Sequence, residues 1–255
     1  MVCALIVSAF AAQNALATNG TTLQTCVKDP NAGAGFSKAH CTAADAVESN
    51  RTYKHVEAAQ DKQTEVRGTT NNTTGDNVAT VLKSTQSGIA VEIRSTLAHL
   101  EEAALTNKLD ASGEHYFEGE GKIRFTNVTM PAPAGKGCAV KTGEVVTEKL
   151  KMTSKGQGDS IRSSPVAGEL IAEFEVEGCG PTEALKSLNG KYQVTGSATC
   201  VPDGATLNCT HAQTTAQMTL KLRGQKAGFE ASFIIEGKDA SDVHYTQLST
   251  TTVVT

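Results

Sequence analysis

Downstream of residue 78 the chain repeatedly alternates apolar and polar residues with a period of two, which predicts strands with one covered face. Leu170-Ile-Ala-Glu-Phe-Glu-Val-Glu keeps the alternation and places Leu170, Phe174 and Val176 on that face. Residues 123–129 and part of 139–150 alternate for most of their length. Two short runs, 78–84 and 89–93, flank Gln86-Ser87-Gly88, which reads as a hairpin turn. Asn189-Gly190 ahead of Tyr192-Gln-Val-Thr predicts a second hairpin turn, of type I′. Longer runs at 216–222 and 229–237, and a β-branched stretch at 243–254, suit further strands. Residues 96–106 break the pattern. They are rich in Leu, Ala and Glu, with Leu97, Leu100 and Ala104 spaced for one helix face, and predict a short helix.

Many short strands with Gly and Asn turns and no strand–helix alternation give an antiparallel all-β class. A disulfide-stabilised β-sandwich is the first expectation and a half-open barrel the alternative, with at most one short helix near 96–106. An outer-membrane barrel does not fit strands this short without an aromatic girdle. The β domain is expected over 65–255, after an irregular, disulfide-closed segment at 18–64 that is polar and carries the turn material Asp29-Pro30-Asn31.

The N-terminus changes the picture from fold to compartment. Residues 2–12 are an apolar run, and Ala15-Leu16-Ala17 offers small residues for cleavage, so 1–17 reads as a secretory signal peptide although no Lys or Arg precedes the run. Removing Cys3 with that segment leaves Cys26, Cys41, Cys138, Cys179, Cys200 and Cys209, an even set suited to disulfides in an oxidising compartment. Loop closure favours Cys26–Cys41 and Cys200–Cys209, leaving Cys138 with Cys179. Zinc is the competing use, but no Cys-x-x-Cys occurs.

Composition and motifs then remove chemistries. A net charge of −4 gives no footprint for nucleic acid, and no run is long enough to span a membrane. Aromatics are 4% and Trp is absent, so platforms for stacking sugars are scarce. The metalloprotease, serine-hydrolase and phosphate-loop motifs are all missing, so no catalytic residue, metal site or cofactor is expected. One constellation stands out. On a strand, Glu114, Tyr116, Glu118 and Glu120 share a face. Tyr116, Glu118 and Glu120 are therefore the candidate ligand-binding residues. Glu118 and Glu120 could act as a glycosidase pair, and Tyr116, Tyr192 or Tyr245 could replace Trp in a glycan-binding module. The plain alternative is a solvated strand face over a buried Phe117.

Five segments carry a resemblance: Thr85-Gln-Ser-Gly-Ile-Ala-Val-Glu-Ile, Gly119-Glu-Gly-Lys-Ile-Arg-Phe-Thr-Asn-Val-Thr, Pro133-Ala-Gly-Lys-Gly-Cys, Phe174-Glu-Val-Glu-Gly-Cys and Leu188-Asn-Gly-Lys-Tyr-Gln-Val-Thr-Gly. They resemble uncharacterised secreted Thr/Gly-rich β-strand proteins present as many paralogues in soil actinobacteria. The resemblance implies that 96–107 continue as strand and that Cys138 and Cys179 are a pair. It also implies loss of a second pair, at the places occupied here by Arg94-Ser95 and Asn127-Val128. It implies no activity. The expectation is a secreted, non-enzymatic extracellular or cell-surface structural or interaction protein. Its expected partner is cell-wall polysaccharide or another surface protein.

Overall fold

A computed structural model of the chain describes residues 20–29, 36, 52–70, 80–157, 160–203, 206–211, 219–238, 245–247 and 249–253. The signal segment, Cys41 and the side chain of Tyr245 lie outside this description. The chain runs through β1 (Gly20–Lys28), β2 (Tyr53–Glu57), β3 (Gln63–Thr70), β4 (Thr80–Gln86) and β5 (Ile89–Ser95). Two long strands follow, β6 (Leu97–Leu109) and β7 (His115–Thr126). Short ones come next: β8 (Thr129–Ala132), β9 (Ala139–Val140), β10 (Glu144–Val146), β11 (Leu150–Thr153) and β12 (Ile161–Pro165). After β13 (Leu170–Glu177) stands the helix α1 (Glu183–Lys186), then β14 (Gly190–Thr195), β15 (Ala198–Asp203) and β16 (Thr206–His211). The chain closes with β17 (Lys221–Leu222), β18 (Gln225–Lys238), β19 (Tyr245–Gln247) and β20 (Ser249–Val253).

The class is antiparallel all-β, and the sheet that a sandwich would leave open closes on itself. β3, β6, β7, β11, β12, β15, β16 and β18 pair in that order, and β18 pairs back onto β3, giving an eight-stranded antiparallel barrel. Closure leaves no free edge within the ring. The long strand β18 also reaches beyond it: residues 225–226 pair with β17 and 227–230 with β4. From there outer strands run through β5 to β8 on one side and through β14 and β13 to β9 on the other.

The helix expected near 96–106 is strand β6, held by β3 on one edge and β7 on the other. The reason is a bulge. Glu101 pairs with Lys122 but Ala104 with Glu120, so β6 carries one extra residue there, and Glu102 takes a positive φ of 48°. Ala98 and Leu100 are buried before the bulge, and Ala103, Leu105 and Asn107 after it. The parity switch mimics helical spacing. β7 accommodates the bulge with glycine: a Cβ at Gly119 would lie 1.9 Å from the Ala104 carbonyl oxygen, and one at Gly121 2.6 Å from the Ala103 Cβ.

Two more readings are corrected locally. Asn189-Gly190 is not a two-residue hairpin turn; β13 and β14 do pair, but through a connection that contains α1. Thr182 caps that helix, and the Asn189 side chain accepts from Cys179 N–H at 2.9 Å and donates to the Cys179 carbonyl at 2.9 Å. The segment expected to be irregular contributes strands β1 and β2, which form a three-stranded sheet with β20. The turn at Ser87-Gly88 is as expected, with both residues at positive φ and Gln86 paired to Ile89.

Candidate ligand cavity

The residues singled out from sequence sit on β7, and the structure separates them. Lys151 on β11 pairs with Glu118 at 3.1 Å, and Lys149 pairs with Glu120 at 2.6 Å. Each carboxylate thus has its own lysine across the strand pair. The Lys155 ammonium lies 4.8 Å from the Tyr116 ring centroid, covering one face of the ring that a sugar would need. Phe117 is buried beneath, as the strand reading required. Tyr192 is 0% exposed and offers no face to a glycan. Its ring stacks on Phe174 with centroids 5.5 Å apart, and the Arg223 guanidinium lies 4.7 Å from its own centroid. Burial pushes the Tyr192 phenol up from its ordinary value, and the adjacent Arg223 guanidinium, by hydrogen bonding first and by its charge second, opposes the rise.

The disulfides Cys138–Cys179 and Cys200–Cys209 are both formed. The first joins the approach to β9 to the end of β13, and the second ties β15 to β16 directly across the ladder. Cys26 is also disulfide-bonded, and its expected partner Cys41 lies outside the described residues.

The charges point away from the barrel and its interior is apolar. Arg67–Glu236 at 2.6 Å and Lys83–Glu230 at 3.4 Å link neighbouring strands on the outer face, as do the β7–β11 pairs. Inside, three apolar clusters follow the long strands. One end gathers Leu23, Val66, Leu105, Phe117, Met152 and Ile161. The middle holds Ala98, Ala231 and Phe233 with the Cys200–Cys209 bridge. The far end, beneath the outer strands, holds the largest cluster, with Val91, Phe174, Val176, Tyr192 and Leu222.

A cavity of about 130 Å³ lies between these clusters. Leu100, Ile123, Met152 and Phe233 line it from the barrel, and Leu82, Ile93, Phe174 and Val194 from the outer strands. An eight-stranded barrel is of the width that either fills with side chains or holds one small ligand. Polar residues on the wall are few: Thr80, Ser95, Thr147 and Ser163.

The N-terminal strand caps one end through a residue that the sequence did not announce. Asn107, 2% exposed, accepts from Leu23 N–H at 2.9 Å and donates to the carbonyls of Leu23 at 3.0 Å and Ala58 at 2.8 Å. The one available signal was an amide at an inward parity position after Ala103 and Leu105. Cavities carry no such signal, because empty space belongs to no residue.

Comparison of the chain with protein-family models, with curated proteins and with solved structures found no match.

Proposed function

We propose that the protein is a secreted, non-enzymatic binding protein that holds one small apolar molecule in the interior of its barrel. The observation that carries this reading is the apolar cavity of about 130 Å³ shared by the barrel and the outer strands. An apolar cavity of roughly 150 Å³ stays dry and takes up benzene, which sets the size of the ligand. Two features support a water-facing carrier: the ion-paired outer face and the disulfides, which favour an oxidising compartment.

The test is thermal unfolding and calorimetric titration of the disulfide-intact protein with benzene, toluene and xenon. A saturable rise in Tm of about 2–4 °C at ten times Kd is expected. Absence of saturable heat, shift and xenon uptake would overturn the reading. Retention on cell-wall polysaccharide by a protein that ignores these probes would assign it instead to glycan binding through its outer face.

A further inference from the structure

We infer that the cavity selects an aromatic ring over a saturated hydrocarbon of the same size, and that Phe174 is the residue against which that ring packs. This rests on the cavity reading above and adds the class of molecule that the cavity takes.

Aromatic residues are scarce in this chain and concentrated on this wall. Four of the seven phenylalanines line the cavity: Phe125 from β7, Phe174 from β13, and Phe229 and Phe233 from β18. They come from both parts of the molecule. Phe125 and Phe233 belong to barrel strands and Phe174 to an outer strand, while Phe229 sits where β18 pairs with both β16 and β4. The Met152 thioether and the Cys200–Cys209 bridge line the same space. Aromatic rings meet one another in offset-stacked or edge-to-face contacts that add to the area they bury. Sulfur adds favourable contacts at a ring edge. A saturated ring in the same place gains the burial alone.

Phe174 is the member of this set whose position is best fixed. Tyr192 lies directly across the β13–β14 ladder from it, and the two rings stack with 16° between their planes and 5.5 Å between centroids. Tyr192 is fully buried and does not line the cavity, so the stack ends at Phe174 on the cavity side. The Arg223 guanidinium, 4.7 Å from the Tyr192 centroid, steadies the far member. A ligand ring packed on Phe174 adds one more member to a pair that is already ordered, and little side-chain freedom is lost when it binds.

Benzene and cyclopentane are close in volume and differ in aromaticity, so they separate the two claims. Their affinities are measured by calorimetry on the disulfide-intact protein and on Phe174→Leu. Each is divided by the probe's water-to-alkane partition coefficient, so that plain hydrophobicity cancels. On that scale benzene should bind about tenfold more tightly than cyclopentane. Phe174→Leu should cut the preference to about threefold or less, since the remaining rings keep part of it. In the unmutated protein, bound benzene should shift the ring-proton resonances of Phe174 but not those of Phe117, which is buried away from the cavity wall. That readout needs no variant to fold. Equal corrected affinities, or a preference for cyclopentane, would overturn the aromatic class. A preference unchanged in Phe174→Leu, or no shift at Phe174 with benzene bound, would overturn the assignment to Phe174. Either result leaves the cavity reading standing, whereas binding of neither probe would overturn both.

Discussion

Replacing Asn107 with alanine should release the N-terminal strand from the barrel. The side chain bonds three backbone groups, Leu23 N–H, the Leu23 carbonyl and the Ala58 carbonyl, at 2.8–3.0 Å; the Leu23 carbonyl also accepts from Ala58 N–H at 2.9 Å and would keep that partner. Leu23 is 2% exposed, so water does not replace the amide without opening the cap. Each bond contributes about 1 kcal/mol net, and each group left buried without a partner costs about 1–3 kcal/mol. Partial relaxation puts the total at about 3–5 kcal/mol. Urea unfolding followed by circular dichroism is the assay, since the chain has no Trp. Hydrogen exchange at Leu23 reports whether the loss is global or confined to the cap. Asn107→Asp sharpens the test, because a carboxylate still accepts from Leu23 N–H but donates to neither carbonyl. At neutral pH it should cost at least as much as alanine. A loss below about 1 kcal/mol for Asn107→Ala, with Leu23 exchange unchanged, would refute the clamp.

Three further outcomes are expected. Gly119→Ala should cost about 3 kcal/mol or more in chemical unfolding, because its Cβ would meet the Ala104 carbonyl oxygen at 1.9 Å, whereas Gly88→Ala, at an open turn with φ of 81°, should cost about 1 kcal/mol; equal costs would remove the bulge argument. Removing Cys138–Cys179, which spans 41 residues, should destabilise by about 4 kcal/mol against about 3 kcal/mol for Cys200–Cys209, which spans 9; a reversed order in paired Cys→Ala variants would show that loop entropy is not the governing effect. Burial raises the Tyr192 phenol, so stability is fully present below about pH 10, where the unfolded tyrosine begins to ionise, and falls as pH rises from there; Tyr192→Phe should flatten that alkaline decline, and an unchanged slope would count against it.

Much of the strand inventory was legible because half-covered strands write their burial into a period of two. β13 is the clearest case, with Ala172, Phe174 and Val176 buried on one parity. β6 was illegible for a definite reason: the extra residue at its bulge moves the buried set from even to odd positions, and Leu, Ala and Glu then win the reading by helix propensity. The Asn189-Gly190 signal was real as chain reversal but wrong in scale, since the turn serves a helix end locked to Cys179 rather than a two-residue loop. Closure of the barrel lies further out of reach. It depends on β18 meeting β3, partners whose register joins residues such as Glu236 and Arg67, and no local pattern encodes that pairing. The acidic cluster on β7 was visible in sequence, but its pairing with Lys151 on β11 and with Lys149 just before that strand was not.

The cavity makes a demand on the rest of the molecule. At about 24 cal/mol per Å³, an unfilled space of this size costs about 3 kcal/mol relative to a packed interior. That is a large share of the stability of an ordinary domain. Small residues stand on its wall, Ala172 and Ala198 among them, where a larger apolar side chain would occupy the space. The barrel is closed, its far end is covered by outer strands, and β1 is pinned over the other end by Asn107, so the walls are held apart by backbone pairing rather than by what they enclose. A ligand that enters recovers contacts which no side chain provides. The binding energy available is therefore of the same order as the cavity's cost. The cavity touches all three apolar clusters, so a bound ligand would stabilise barrel and outer strands together.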